Sequence, residues 1–575
     1  MDRTQGKLRV AILGGGPSGL FMYKRLVESG LQNLHIDIFE ATTHLGSGMP
    51  YSEDGANGEH VTNVSGNEIP GIVTPIKEWI FTVPPETLQR FNMVPEKFND
   101  YKVLPRLLFG QYLSSQFELL KEKADDRHII TTIHLNSRVT DIKDDPEKKH
   151  VTVEIKGGRQ YIYDQVIIST GHYWPKKYEL TIPGYFDSPY PPSKLRLKLN
   201  HPVAVRGASL TAIDAIRTLA RQNGSFSRDK DNRVTYTPHE DSPQFRIVMH
   251  SRNGLLPAIR FHFEDTHLSK DFLIGRRELN RNRAQNEGFL SLDYIFEKDF
   301  MEPLAERDPK FHERVKDMSI EEFVAAMMDL REKLEPFQLF KAEYVEAEKS
   351  IRRHESIYWK ELLAILSFAM NYPAKHLSAE DMQRLQKVLM PLISIVIAFV
   401  PQSSCEEMIA MHDAGRLELI PVGTDSHAEP DKEGGIHYHY IDESGEPRSI
   451  NYATFVDCVG QPHLAYEAFP FKSLLNDGSI SPARLQFRSP EIGEEELSGG
   501  NDNIEKDSSG NYYLRVPGIR INDSFQVIDT TGHSNPRIYI MAVPFIGGFN
   551  PDYSGLDFCE EASSSILKKM ESVVE

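Results

Sequence analysis

The sequence predicts an α/β fold of two parallel-sheet units, the second of them interrupted by helices. A short apolar strand, Leu8 to Leu13, runs into G-x-G-x-x-G spacing at Gly14, Gly16 and Gly19 and then into a helix. A second strand, Pro202 to Arg206, meets a weaker form of the same turn at Gly207-Ala208-Ser209-Leu210-Thr211-Ala212. From about Gln285 to Ala414 the apolar residues recur at helical spacing. Together these describe two Rossmann-like dinucleotide-binding domains with a helical insertion in the second.

Each part of the first turn has a physical job. Gly14 lets the backbone turn sharply, Gly16 lets a pyrophosphate approach, and Gly19 packs helix against strand. Pro17 and Ser18 lie where the open N–H groups and positive dipole end of the helix meet a phosphate. The helix is expected over Leu20 to Ser29, with Gly30 as its C-terminal cap. A second strand, Leu34 to Phe39, ends on Glu40, near the ~20-residue spacing at which an acid binds a ribose hydroxyl.

Gly46-Ser47-Gly48-Met49-Pro50-Tyr51 suggests backbone passing close to a ligand, which makes Gly48 and Tyr51 candidates. Asn63, in a brief apolar stretch, either hydrogen-bonds a ring edge or forms a turn. Pro75 to Lys123 reads as largely helical, most clearly over Gly110 to Ala124. Strands follow at Ile129 to Ile133 and Arg138 to Ile142, then a hairpin of Val151 to Ile155 and Tyr161 to Ile168. The last strand meets Ser169-Thr170-Gly171-His172, where the small residues Thr170 and Gly171 let the backbone approach a cofactor.

In the second unit, Gly207, Ser209, Leu210 and Thr211 form the turn and first helical residues, and the helix runs from Leu210 to Arg221. Asn223 to Ser242 reads as a polar excursion. The strand Phe245 to His250 ends at Ser251-Arg252, and an arginine at this place can hold the 2′-phosphate of NADPH. Helices are expected at Ile320 to Leu334, Ala342 to Arg353, Ile357 to Met370 and Ala379 to Phe399, and strands resume at Arg416 to Ile420 and Ile436 to Ile441. Ala453 to Gly460 echoes the strand-to-glycine closure of the first unit. Ser489 to Gly510, acidic and glycine-containing, reads as a mobile loop. The strand Arg537 to Pro544 then leads through Gly547, Gly548 and Phe549 to a final helix, Leu556 to Met570. This return brings a second helix N-terminus to the first unit. The expected units are 1–199, 200–284 joined with 415–465, the insertion 285–414, and the C-terminal return 466–575.

Composition narrows the function. The net charge of −18 argues against nucleic acid and anionic membrane surfaces as partners. The longest apolar run, Leu392 to Val400, is far short of the ~20 residues that span a bilayer. Met1 to Lys7 is short and polar, so no leader is expected. The three cysteines, Cys405, Cys458 and Cys559, form neither a C-x-x-C redox pair nor a metal-ligand spacing, and a reduced cytoplasmic setting is expected. No metal ligands and no catalytic side chain are assigned. His172 follows the Thr-Gly closure and reads either as a group near the cofactor or as a surface or loop histidine; His44, Asn550 and Tyr553 carry the same two readings.

The glycine turn at Gly14 to Gly19, Gly48-Met49-Pro50-Tyr51-Ser52, Ser169-Thr170-Gly171-His172, Gly207 to Asp214 and Ser251-Arg252-Asn253-Gly254-Leu255-Leu256-Pro257 resemble the bacterial FAD-NAD(P)-binding protein family. That family lies within the two-dinucleotide-binding-domain flavoproteins. The resemblance implies FAD on the first unit, with its pyrophosphate on Gly14 to Gly19, its ribose on Glu40 and its adenine near the backbone of Val139. It implies NADPH on the second. The chain departs from the pattern twice: Ala542-Val543-Pro544 replaces the usual Gly-Asp, and Ser209 replaces a glycine. The expected activity is an FAD-dependent, NADPH-reduced oxidoreductase acting on a small molecule, with monooxygenation among its outcomes. A flavin oxidase or dehydrogenase without nicotinamide, and a cofactor-bound sensor, stay open. The Baeyer–Villiger fingerprint is absent.

Overall fold

The computed structural model describes residues 7–264, 273–550 and 552–574; the remainder of the polar lead-in, Met1 to Gly6, lies outside them. The first unit contains β1 (Leu8–Leu13), α1 (Pro17–Glu28), β2 (Leu34–Phe39), β3 (Ile130–His134) and β4 (Gln165–Ile168). The second contains β5 (Pro202–Arg206), α2 (Leu210–Asn223), β6 (Arg246–Ser251), β7 (Leu417–Pro421) and β8 (Thr454–Asp457). The chain closes with β9 (Ser534–Ile540) and α3 (Gly555–Val574).

The first sheet has the order Gln526–Ile528, β9, β4, β1, β2, β3. All but the outermost Gln526–Ile528 run parallel, with Ile12 level with Ile38 on one side and Ile167 on the other. Val10 to Leu13 are all buried, the unbroken apolar run of a parallel strand covered on both faces. The carboxyl ends of β2, β1, β4 and β9 therefore stand side by side along one edge. A second parallel sheet has the order Tyr185–Phe186, β8, β5, β6, β7.

Helices run from Arg276 to Asp413. Phe296, Phe300, Phe323 and Leu392 of this region share one continuous apolar core with Ile12 and Phe117 of the first unit. Phe337, Phe340 and Cys405 pack into the core beneath the second sheet. The helical region is thus a wedge anchored in both cores. Inside it, Glu343 accepts two hydrogen bonds from Arg331, at 2.7 and 3.0 Å, and one from Lys360 at 3.0 Å. All three side chains are buried. Among the described residues, no helix is long and apolar enough to cross a membrane.

Several local expectations need correction. α1 begins at Pro17 and ends before Ser29, whose hydroxyl donates to the Leu26 carbonyl, so Gly30 is not its cap. Tyr161 to Ile168 is two strands, Gln160–Tyr163 in the hairpin and β4 in the parallel sheet. The polar excursion after α2 is an antiparallel pair, Gly224–Arg228 with Val234–Pro238. Ala379 to Phe399 is broken by a five-residue π turn, Leu385–Leu389, just before Pro391, a residue that cannot continue an intact helical ladder. Ser489 to Gly510 is ordered secondary structure: Ser489 caps the helix Pro490–Ser498, and Ile504–Lys506 pairs with Tyr512–Ile519. Gly493 lets that helix lie against Tyr512, since a Cβ there would stand 2.4 Å from the Tyr512 Cβ.

Burial by itself would raise the Glu343 carboxyl, but Lys360 and Arg331 outweigh it and hold it below the usual carboxylate range. The stability it contributes is complete above about pH 4.3 and is lost as pH falls through the lowered value. Glu343→Gln, which strands two buried cations, is expected to lower stability by about 3–5 kcal/mol in urea unfolding at pH 7. The gap to the parent protein should narrow in acid.

Candidate functional site

A cavity of about 330 Å³ lies along the carboxyl edge of the first sheet, within the size range of ligand sites. Its floor follows the strand ends in order: Glu40 after β2, Gly14 and Gly16 after β1, Ser169 to His172 after β4, and Met541, Val543 and Pro544 after β9. In open parallel sheets this is the place where ligands bind.

The turn after β1 is built by close backbone approach. Gly14 has φ +111°, and a Cβ on it would stand 2.5 Å from the Ser169 carbonyl oxygen. Its N–H donates to the Phe39 carbonyl at 2.8 Å. A Cβ on Gly19 would stand 2.1 Å from the Gly14 carbonyl oxygen, so the third glycine brings α1 onto the turn. Gly46 donates to the Gly15 carbonyl at 2.7 Å, which lays the second glycine loop over the first, with Gly48 against Gly16 and Pro17. No side chain caps the start of α1. Its first-turn N–H groups and positive dipole end are thus available to an anion.

Glu40 lines the cavity and also braces the turn. One carboxylate oxygen accepts from the Gly15 N–H at 2.9 Å and the other from the Thr42 N–H at 2.8 Å. Each oxygen keeps a lone pair for a ribose hydroxyl. Arg138 lines the same end, and Val139 follows it at the start of the strand Val139–Asp145. Thr170 and Gly171 line the middle. The hydroxyls of Ser169 and Thr170 are buried without a hydrogen-bond partner, a condition that a polar ligand relieves. Together, the uncapped helix start, the glycine cradle, the acid and the two orphan hydroxyls fit a dinucleotide.

The far wall is the start of α3, at Ser554, Gly555 and Leu556. α3 packs on α1, and the Ser18 hydroxyl lies 3.3 Å from the Cys559 sulfur. Burial pushes the Cys559 thiol up to about 12, so it remains a neutral thiol at the cavity wall. Burial likewise pushes Tyr51, which also lines the cavity, up to about 12.

Gly547, Gly548 and Phe549 stand off the cavity lining. A Cβ on Gly547 would meet the His463 ring at 2.3 Å and one on Gly548 the Pro517 carbonyl at 1.9 Å, while Phe549 is core. Asn63 is exposed on the strand Val61–Ser65 and lines a neighbouring smaller cavity. The sequence brings the start of the final helix, at Leu556, to the first unit, but it does not single out Ser554 or Gly555. The signal was there in the start of the final helix, but the Gly547–Gly548 pair drew the assignment.

In the second unit Gly207 has φ +110°, and its N–H donates to the His250 carbonyl at 2.8 Å. Ser209 precedes α2 with its hydroxyl uncommitted to the helix, leaving the N–H groups of Leu210 and Thr211 uncapped by it. Arg252 is exposed just beyond β6. Because β5 and β6 pair in parallel, with Arg206 level with His250, Arg252 and the Gly207 turn share one sheet edge.

This turn, acid and open helix end define an FAD-NAD(P)-binding domain, and residues 11–173 match the family so described. Residues 276–397 match a second family, described as YdhS-like middle domain. The chain is 27% identical to the uncharacterized protein YdhS of Escherichia coli (strain K12), over 81% of this chain and 85% of that protein. Among solved structures it is similar to an ornithine N-hydroxylase of Kutzneria sp. 744, at 13% identity and TM-score 0.43, covering 99% of this chain and 100% of that one. It is also similar to DfoA, the cadaverine monooxygenase of Erwinia amylovora, at 11% identity and TM-score 0.45, covering 99% and 95%. The bacillithiol disulfide reductase of Staphylococcus aureus is similar at 10% identity and TM-score 0.42, covering 99% and 100%.

Gly14→Ala places a methyl group against the Ser169 carbonyl at a positive φ, so it is expected to destabilise the protein by more than ~2 kcal/mol in urea unfolding. Gly16 has φ −76°, and its Cβ would meet the Gly48 backbone, its Cα at 3.2 Å and its nitrogen at 3.7 Å. Gly16→Ala is therefore expected to keep the fold and weaken FAD binding about tenfold, read by flavin fluorescence on titration.

Proposed function

We propose that the protein is an FAD-dependent oxidoreductase that is reduced by NADPH and acts on a small molecule, with oxygen or another small acceptor completing the cycle. The observation that carries this reading is the single cavity across four strand ends, with an open helix start at its centre. The first turn of α1, with Gly14, Gly16 and Gly48, would hold the pyrophosphate. Glu40 would hold the adenosine ribose, and Arg138 and Val139 would border the adenine. Tyr51, Val543, Pro544 and the start of α3 would border the reactive ring. When bound, FAD supplies the hydride chemistry.

The chain's own residues then position and shield. Met541, Val543 and Pro544 present apolar surface at the ring end and exclude water there. The N-terminus of α3 favours negative charge beside them. Tyr51 stays protonated and offers a hydrogen-bond donor across the neutral pH range. On the second unit, the starts of α2 and of its turn at Gly207, Ser209, Leu210 and Thr211 would take the nicotinamide-nucleotide pyrophosphate. Arg252 would take the 2′-phosphate. The Ser209 hydroxyl makes no capping bond to the helix it precedes, so it does not compete for that helix's first N–H groups.

Anaerobic mixing with NADPH is expected to bleach the flavin absorbance, and NADH to do so more slowly. Arg252→Ala should raise the KM for NADPH about tenfold and leave that for NADH unchanged, as loss of a charge-assisted phosphate contact predicts. Unaltered NADPH kinetics in this variant would remove Arg252 from the site.

A further inference from the structure

The two glycine turns are joined through backbone. Gly207 stands to Cys458 as Gly14 stands to Ser169: a Cβ on Gly207 would lie 3.0 Å from the Cys458 carbonyl oxygen, and one on Gly14 2.5 Å from that of Ser169. Each turn therefore rests on the closure of its own unit, Ser169 onward after β4 and Cys458 onward after β8. Further along, the two closures meet. The Gln461 side chain accepts from the Tyr173 N–H at 2.8 Å and donates to the Tyr173 carbonyl at 2.8 Å.

We propose that Gln461 is a positioning residue for transfer between the two nucleotides. It clamps the closure of the second unit to that of the first, and so sets the distance between the NADPH turn and the FAD cavity. The proposal rests on the FAD and NADPH reading above.

The clamp acts next to the cavity wall. Gly171 and His172, which precede Tyr173, line the cavity, as does Pro544 after β9. Beyond Gln461, the Leu464 N–H donates to the Pro544 carbonyl at 2.8 Å. The segment from Cys458 to Leu464 thus runs from the second unit's turn to two of the strand ends that floor the cavity. The side chains flanking Tyr173 are also tied to the second unit. His172 and Trp174 stack at 5.6 Å with their planes 11° apart, and Trp174 leans on Tyr190 at 5.2 Å. The Tyr190 hydroxyl donates to Asp214 of α2, the helix that follows the second turn, at 2.8 Å. That arm holds side chains, whereas Gln461 holds the backbone from which Gly171 and His172 enter the wall.

The contact calls for an amide. The Gln461 nitrogen also donates to the Pro462 carbonyl at 2.9 Å, so its acceptor and both of its amide hydrogens are in use. A carboxylate would accept without donating, and asparagine is one methylene shorter. Two neutral hydrogen bonds at a solvent-exposed place add little to stability, so their worth lies in geometry. In the transfer NADPH gives up a hydride and leaves as NADP+, and FAD takes the hydride with its electron pair. Displacing such partners by about 1 Å can cost about a hundredfold in rate.

The test compares the FAD-loaded protein with its Gln461→Met variant, which keeps a side chain of similar length and loses the hydrogen bonds. Flavin bleaching at saturating NADPH without oxygen is expected to slow by about tenfold or more. The Kd values for NADP+ and FAD, and bleaching by dithionite, are expected to match those of the parent. In the cofactor-free proteins, the Tyr173 amide should exchange with heavy water faster in the variant than in the parent, by about tenfold or more. Bleaching at the parent rate, slowing that weaker NADP+ or FAD binding accounts for, or equal exchange at Tyr173 would overturn the proposal. Should Gln461→Met fail to fold, Gln461→Glu, which keeps the acceptor and loses the donor, carries the same expectation for bleaching. A parent flavin that NADPH does not bleach, or a colourless protein that FAD cannot reconstitute, would instead overturn the reading on which the proposal rests.

Discussion

The carbonyl oxygen of Ser169 stands 2.5 Å from where a side chain on residue 14 would begin, and much of the molecule follows from that approach. It requires glycine at the turn and brings the end of β4 against the end of β1. β9 then lies alongside β4, with Ile540 level with Ile168. A side chain at position 14 would push β1 and β4 apart at the edge where the cavity forms. The same principle recurs at Gly19 on Gly14 and at Gly48 on Gly16. The site is an arrangement of backbone held together by the absence of Cβ atoms.

A second constraint joins the two units. Arg106, at the start of the first unit's long helix, makes a two-pronged contact with Asp214 of α2, at 2.7 and 3.2 Å. The Tyr190 hydroxyl donates to the same carboxylate at 2.8 Å, and the buried His60 ring lies 3.1 Å from both the Asp214 carbonyl and the Thr218 hydroxyl. Burial pulls the His60 ring below its ordinary value, which keeps it neutral in this network. Buried ionic groups of this kind give little net stability, but breaking one partner away is costly. Their effect is to favour one relative orientation of the units. The helical region reinforces it by packing into both cores.

The legible part of this architecture was the part written in short-range patterns. Leu8–Leu13, Leu34–Phe39 and Pro202–Arg206 have the bounds their apolar runs suggested, because a strand buried on both faces has no alternative reading between two turns. Ser489 to Gly510 misled because its acidic residues face solvent. Its order comes instead from a cap at Ser489 and from pairing with a strand that follows it. At the cavity, the residues reached by spacing, Gly14, Gly16, Glu40 and Thr170, line it directly. Ser554, Gly555 and Arg138 belong to no motif, so only the folded chain brings them in. The bracing bonds from Gly15 and Thr42 to Glu40 were likewise invisible to spacing.

The position of β9 has a consequence for how the protein is made. β9 is an interior strand, flanked by β4 and Gln526–Ile528, yet the whole second unit and the helical region are made between β4 and it. Until residue 540 has emerged, β4 is an uncovered sheet edge whose backbone N–H and C=O groups invite pairing with other chains. α1 likewise waits for Glu560, which binds both Lys24 and Arg25. A nascent chain therefore carries an unfinished nucleotide site until β9 and α3 have been made. Chains that terminate early expose an adhesive edge in place of a binding surface.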